Sequence, residues 1–433
     1  MRGSNSVLLF SRGERNQVNF PIAAHMTPYR PVLKCPFGNL PFLLILVTAL
    51  GVTPLWGGTS SKKPDFEALT RSGWEHFYSL EYDLALRDFQ QALEARSDDP
   101  SAVNHVLDAI LYRELYRYNA LDTRLYMKQG FISGKQLPVD SSVKQQLRSL
   151  TDRALALSDN RLKANPNDVQ AIYDRGVTEG LLATYYVLVD HSWFSSLRNA
   201  LAARRDHEEV LRRRPDWVDA KTVVGAHNSV VGSLTLPIKA MAGMAGIHGD
   251  KQKGLQMLAE AGRGGGETST DARVALALFL RREAQYQQGL DVVHTLIHDH
   301  PHNFLFALEE GNLLKDEGRN GEAAEALRNL LTHCKEGKYP NAHVEMAYYT
   351  LGEALRGQGQ LQGALQAYDE AAKTNSVTQD YHQRALLAAG EVSDMLAHRQ
   401  EALVQYRAAI ALNDSSEEAD TARKYLNKPY KGR

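Results

Sequence analysis

The chain has 433 residues, 43% of them apolar and 23% charged. Its 50 basic and 51 acidic side chains leave a net charge of −1, enough apolar content for a continuous core and no basic stripe of the kind nucleic acid selects. With only two cysteines, Cys35 and Cys334, no disulfide framework is expected.

The first element in the chain is an uncharged run at 40–55, LPFLLILVTALGVTPL, preceded by Arg30 and Lys34. At this length it is short for a membrane span, which takes about 20 residues. A basic flank, an apolar stretch and small residues at Ala49 and Gly51 fit a secretory signal, with Met26 as an alternative start to Met1. An uncleaved anchor with Trp56 at the interface is the other reading. Both place residues 1–63 as a leader of an exported or membrane-anchored chain rather than a cytosolic one. Cys35 precedes the run and so cannot be a lipoprotein cysteine, which leaves Cys334 as a small buried hydrophobe.

From Pro64 the apolar spacing is helical throughout and strand alternation is absent. Asp99-Pro100 marks a helix start, and Leu107, Leu111, Leu115, Tyr118 and Leu125 then form one stripe. Residues 127–140 read as a loop, and a second long helix spans 141–163. Asn165-Pro166-Asn167-Asp168 stops it and caps a long helical pair over 168–215. In the turn of that pair, Trp193 and Phe194 are expected to fold under as a staple. The Arg204–Arg214 stretch, interleaved with Asp206, Glu208 and Glu209, reads as a solvated, salt-bridged helix face.

A repeat runs through the same helices. Gly73 is followed at offsets of 12, 16 and 19 by Ala85, Phe89 and Ala92. Gly352 is followed at the same offsets by Ala364, Tyr368 and Ala371, and Gly390 by Ala402, Tyr406 and Ala409. Weaker copies start at Ala277 (Gly289, Val293, Leu296) and Gly311 (Ala323, Leu327, Leu330). This spacing resembles the tetratricopeptide repeat, in which small residues sit where two helices cross and the large one fills the gap to the next unit. The expected fold is therefore an all-α solenoid of helical hairpins. Its N-terminal repeats and long pairs cover 64–221, an atypical block covers 222–266, and the C-terminal repeats with a polar capping helix cover 267–428.

The atypical block is poor in charge and rich in glycine. Leu236-Pro237 starts a short apolar helix and Asp250 caps the next. The positions Leu236, Pro237, Gly246, Gly249, Asp250, Gly254, Leu255, Leu258 and Ala261 resemble the tetratricopeptide repeat protein 39 family, and exported bacterial repeat proteins of unknown role share the block. That resemblance implies an adaptor-like, membrane- or lipid-linked role and brings no catalytic residues. The apolar helix either plugs the solenoid or, through Met241 and Met244, offers a patch to a lipid or partner helix. Gly243, Gly246, Gly249 and Lys251 lack the strand and the hydroxyl residue of a phosphate loop.

No catalytic motif or cofactor-binding motif is present, so the protein is expected not to be an enzyme and to need no cofactor. His298, Asp299, His300 and His302 invite a metal reading, but Pro301 interrupts them and a surface turn is the expected form. Repeat geometry points certain first-helix residues into a groove: Arg281, Arg282, Asn312, Lys315, Asp316, Glu353, Arg356, Glu391, Asp394 and Met395. The function expected is a scaffold of the cell envelope that binds a protein or peptide there. A lipid- or membrane-associated adaptor acting through 222–249 is the alternative.

Overall fold

Side-chain caps divide the chain into helices. Asp99 accepts from the Ser101 amide, Asp168 from Ala171 and Asp250 from Lys253, each satisfying an amide that the first helical turn leaves unpaired. The computed structural model describes residues 65–127, 136–244, 246–374 and 376–432. The signal or anchor over 40–55 and the rest of the leader lie outside the described residues. Among those described, no helix is long and apolar enough to cross a membrane.

In chain order the helices are α1 (Phe66–Tyr78), α2 (Tyr82–Ala95), α3 (Pro100–Arg117), α4 (Ser141–Ala164), α5 (Val169–Leu188) and α6 (Trp193–Arg213). Then come α7 (Ala220–Gly232), α8 (Leu236–Met244), α9 (Lys251–Arg263), α10 (Ser269–Arg282), α11 (Tyr286–Asp299) and α12 (Phe304–Asp316). The last six are α13 (Asn320–Lys335), α14 (Val344–Gly357), α15 (Leu361–Lys373), α16 (Asp380–Met395), α17 (Arg399–Leu412) and α18 (Glu417–Asn427). Each packs on the next, except that α7 packs directly on α9 and bypasses α8.

Five hairpins repeat one construction: α1–α2, α10–α11, α12–α13, α14–α15 and α16–α17. A Cβ added to Gly352 would lie 2.5 Å from Tyr368 Cε1, and one added to Gly390 would lie 2.5 Å from Tyr406 Cε1. The missing side chain is thus the space into which the fully buried ring of the second helix inserts. The turns repeat as well. Leu80, Ala284, Gly318, Gly359 and Ala397 stand at the same offset from the five glycine-equivalent positions, and all five adopt positive φ. That left-handed residue reverses the chain within the hairpin, at a cost of roughly 1–2 kcal/mol where it carries a Cβ.

Three expectations fail here. The helix beginning at Pro100 does not run on to Leu125. It ends at Arg117, Asn119 takes φ 58°, and a 3-10 helix follows over Thr123–Met127. Asp122 Oδ1 accepts from the Arg124 amide at 3.0 Å and holds this turn. The Trp193–Phe194 pair is no staple, since Phe194 is 89% exposed and Trp193 is exposed too. Nor does the apolar helix plug the solenoid, because α8 buries none of its side chains. The Arg204–Arg214 face does form its network, with Glu209 accepting from both Arg212 and Arg213 and Arg214 paired to Asp216. Cys334 packs half-buried against the core, and burial pushes its thiol up to about 11.

Candidate functional site

The first helices of successive hairpins, α10, α12, α14 and α16, share a face, and the segment Asn119–Met127 lies along it. Arg281 of α10 donates to Thr123 Oγ1 at 2.8 Å, and Thr123 Oγ1 donates to Glu309 of α12 at 2.5 Å. Arg124 donates to Thr350 of α14 at 3.2 Å and to the Tyr381 hydroxyl of α16. Its guanidinium also stands 4.9 Å from both the Tyr349 and Tyr381 ring centroids. Tyr381 in turn donates to Asp122, and Asn119 reaches Thr378 at 2.8 Å. Most of this face is therefore covered by the chain itself.

That docking divides the residues nominated from the sequence. Arg281 is 2% exposed and ion-paired to Glu309 at 3.0 Å and Asp316 at 2.7 Å. Burial alone would lower its pKa, but Glu309 and Asp316 outweigh it and hold the group charged. Asn312 is 1% exposed and bridges Glu309 and Thr350. Asp394 is buried and accepts from Arg399, the Tyr406 hydroxyl and the Tyr430 amide. As groove residues open to a ligand, Arg281, Asn312 and Asp394 are corrected: each is a buried strut whose polar atoms are satisfied internally. Arg282 is exposed, as is Met395.

Of the remaining five, Asp316 is held between Arg281 and Lys315, and the other four come together. Lys315, Glu353, Arg356 and Glu391 line one open recess of about 360 Å³ beside the docked segment. Arg124, Tyr349, Arg384 and Glu418 complete its wall. The charges pair in rows: Lys315 with Asp316 at 2.8 Å, Arg356 with Glu391 at 2.7 Å, and Arg384 with Glu418 at 3.3 Å. Glu353 accepts from the Tyr368 hydroxyl at 2.6 Å, tying the recess to the repeat's own packing ring. Arg124 and Arg384 escaped the sequence reading. For Arg124 the signal was the Asn119–Asp122 pair, two turn formers inside a stretch taken as helix; for Arg384 there was none.

Of the apolar residues on α8, Met241 is 66% exposed and Met244 84%, beside exposed Leu236 and Ile238. The histidine cluster disperses. His298 bonds Asp299, His300 bonds Thr270, and His302 bonds the Lys338 carbonyl. Among the described residues, no three His, Cys, Asp or Glu side chains converge as metal ligands.

The described elements define an all-helical protein of repeated hairpins that resemble tetratricopeptide repeats in spacing and packing. No family model matches the sequence, and no curated protein matches it. Among solved structures, it is similar to PilW, a widely conserved type IV pilus biogenesis factor, at 16% identity over 57% of this chain and 98% of that one, with a TM-score of 0.39. A tetratricopeptide repeat protein from Parabacteroides merdae is 13% identical over 75% of this chain and 98% of that one, with a TM-score of 0.32. Yeast Tom70 is 11% identical over 84% and 95%, with a TM-score of 0.40.

Proposed function

We propose that this chain is a non-enzymatic scaffold of the cell envelope that binds a protein or peptide partner at the recess between α12, α14, α16 and α18. The observation that carries this reading is the convergence of Lys315, Glu353, Arg356 and Glu391, from three successive hairpins, on one open polar cleft. Every cation there already has an anionic neighbour. A partner must exchange these pairs rather than simply neutralise a charge, which favours a segment of alternating sign and gives selectivity more than raw affinity. The envelope placement rests on the apolar run at 40–55.

The test is site-specific photo-crosslinking from Leu387, on the recess wall, in the full-length chain in its own cells. A single stoichiometric partner is expected, reduced at least tenfold by Lys315→Glu with Arg384→Glu. A crosslinked partner indifferent to those charges, or none at all, would overturn the assignment. Arg281 is no probe of this recess, because that residue is buried.

The exposed face of α8 supports a second reading, a lipid- or membrane-associated adaptor of the kind the family resemblance implies. Met241→Glu with Met244→Glu should then lower the fraction of full-length protein that floats with anionic vesicles, and equal flotation would remove the reading.

A further inference from the structure

A second cavity, separate from the recess, lies where the N-terminal hairpin meets α10, α11 and α12. It has a volume of about 130 Å³, close to the roughly 150 Å³ engineered cavity that stays dry and takes up benzene. Aromatic rings are prominent in its lining: Phe77, Tyr78, Tyr82 and Tyr112 from the N-terminal helices and Phe306 of α12. Val274, Ala277 and Leu278 of α10 also line it. Thr123 of the docked segment lines it as well.

The polar groups on this wall are unequal. Glu309 is matched by Arg281, and Asp122 has Arg124 at 3.5 Å. Asp271, in the first turn of α10, has no cationic side chain paired to it among the described residues, although it lines the cavity. Basic groups on the flanking helices are committed elsewhere. His105 pairs with Glu267 at 2.6 Å, Arg273 with Asp299 at 2.6 Å, and the His300 ring bonds Thr270. The Tyr78 hydroxyl is buried against the Asp271 carboxyl and makes no hydrogen bond of normal geometry. Burial pushes Asp271 up to about 7, with Tyr78 giving partial relief and Glu267 and Asp219 adding repulsion. A carboxyl in an apolar chamber without a countercharge is expensive to ionise.

We infer that this chamber is a binding site for a small organic cation, a protonated or quaternary amine on a compact apolar body, held by Asp271 and the faces of Tyr78, Tyr82 and Tyr112. Electron-rich rings and one carboxylate are the pairing that recognises ammonium groups, and the attraction grows when both are desolvated. The apolar remainder of the chamber accepts a body about the size of a benzene ring. Anions are disfavoured, because no cationic side chain among the described residues lines the chamber to meet one. The site differs from the recess in position, size and chemistry, and it would make the scaffold responsive to a small molecule.

The experiment is calorimetric titration of the full-length protein with benzylamine, benzyl alcohol and benzoate, three probes of similar shape and different charge. Benzylamine is expected to bind at least tenfold more tightly than benzyl alcohol, and benzoate not to bind measurably. Asp271→Asn should remove the preference for benzylamine, and Val274→Phe, which fills the chamber from the α10 side, should abolish binding of both. Equal affinity for the amine and the alcohol, preference for benzoate, or full benzylamine affinity in either variant would overturn the site. Should Asp271→Asn fail to fold, Val274→Phe and the probe series decide the matter alone.

Discussion

Arg281 Nη1 donates to Thr123 Oγ1 at 2.8 Å across 158 residues of chain. The same guanidinium binds Glu309 and Asp316, so one buried cation joins two successive hairpins to the segment docked on them. Such a group is held in place by its partners and is damaging to remove alone.

Replacing Arg281 with alanine leaves Glu309 buried without its countercharge and Asp316 with Lys315 alone. The expected loss is about 3–5 kcal/mol, read as a lowered urea midpoint with loss of amide protection in both α10 and α12. A midpoint within about 0.5 kcal/mol of wild type, the range of a neutral surface change, would show that the triad contributes nothing.

Arg124 ties the segment Asn119–Met127 to α14 and α16 through Thr350, Tyr349 and Tyr381. Arg124→Ala should cost about 2 kcal/mol, from a lost charged hydrogen bond and desolvated cation–π contacts. Limited proteolysis should then cut between residues 118 and 140 faster, while α15 and α17 keep their protection. Unchanged cleavage would mean that the segment is held by other contacts.

Ala284 and Ala397 adopt φ of 55° and 62° at the hairpin turns where Gly318 and Gly359 stand in neighbouring repeats. Glycine at either position relieves the clash of a Cβ in the left-handed region. Ala284→Gly and Ala397→Gly should each raise stability by about 0.5–1 kcal/mol after the added chain entropy of glycine. Gly352→Ala runs the other way. Its Cβ would stand 2.5 Å from the buried Tyr368 ring, and overpacking of this kind costs about 1–3 kcal/mol.

The Asp271 carboxyl, raised by burial to about 7, gives a pH signature. Between the ordinary carboxylate range near pH 4 and pH 7, the folded state holds a proton that the unfolded chain releases. The stability associated with this group is full below about pH 4 and falls as pH rises towards 7. Asp271→Asn removes that slope and also the repulsion by which Asp271 helps burial hold Asp108 up, so its stability relative to wild type should grow from pH 5 to pH 8. Taking the difference between the two proteins cancels the similar effects of Asp174 and Glu179, both raised to about 7 with burial as the largest cause. It also cancels that of His207, lowered by burial, which acts in the opposite direction as pH falls. A flat difference would place Asp271 in contact with water or with a cation of the protein.

The hairpins were legible from the sequence because their packing is local. A glycine and the ring 16 residues later meet within one unit, so Gly352 and Tyr368, or Gly390 and Tyr406, announce themselves by spacing alone. Capping residues such as Asp168 and Asp250 act over three positions and were equally readable. The first-helix residues that would leave the hairpin surface were also identifiable, and Lys315, Glu353, Arg356 and Glu391 do meet in one recess. Tertiary structure alone decided which of those surfaces stay open. Whether Arg281 and Asn312 face a ligand or a buried network depends on a segment that arrives from more than 150 residues away, and a periodic pattern carries no record of so distant a contact. The chamber around Asp271 has the same origin: its aromatic wall and its carboxyl belong to hairpins far apart in the chain, brought together only when the array turns back upon its own beginning.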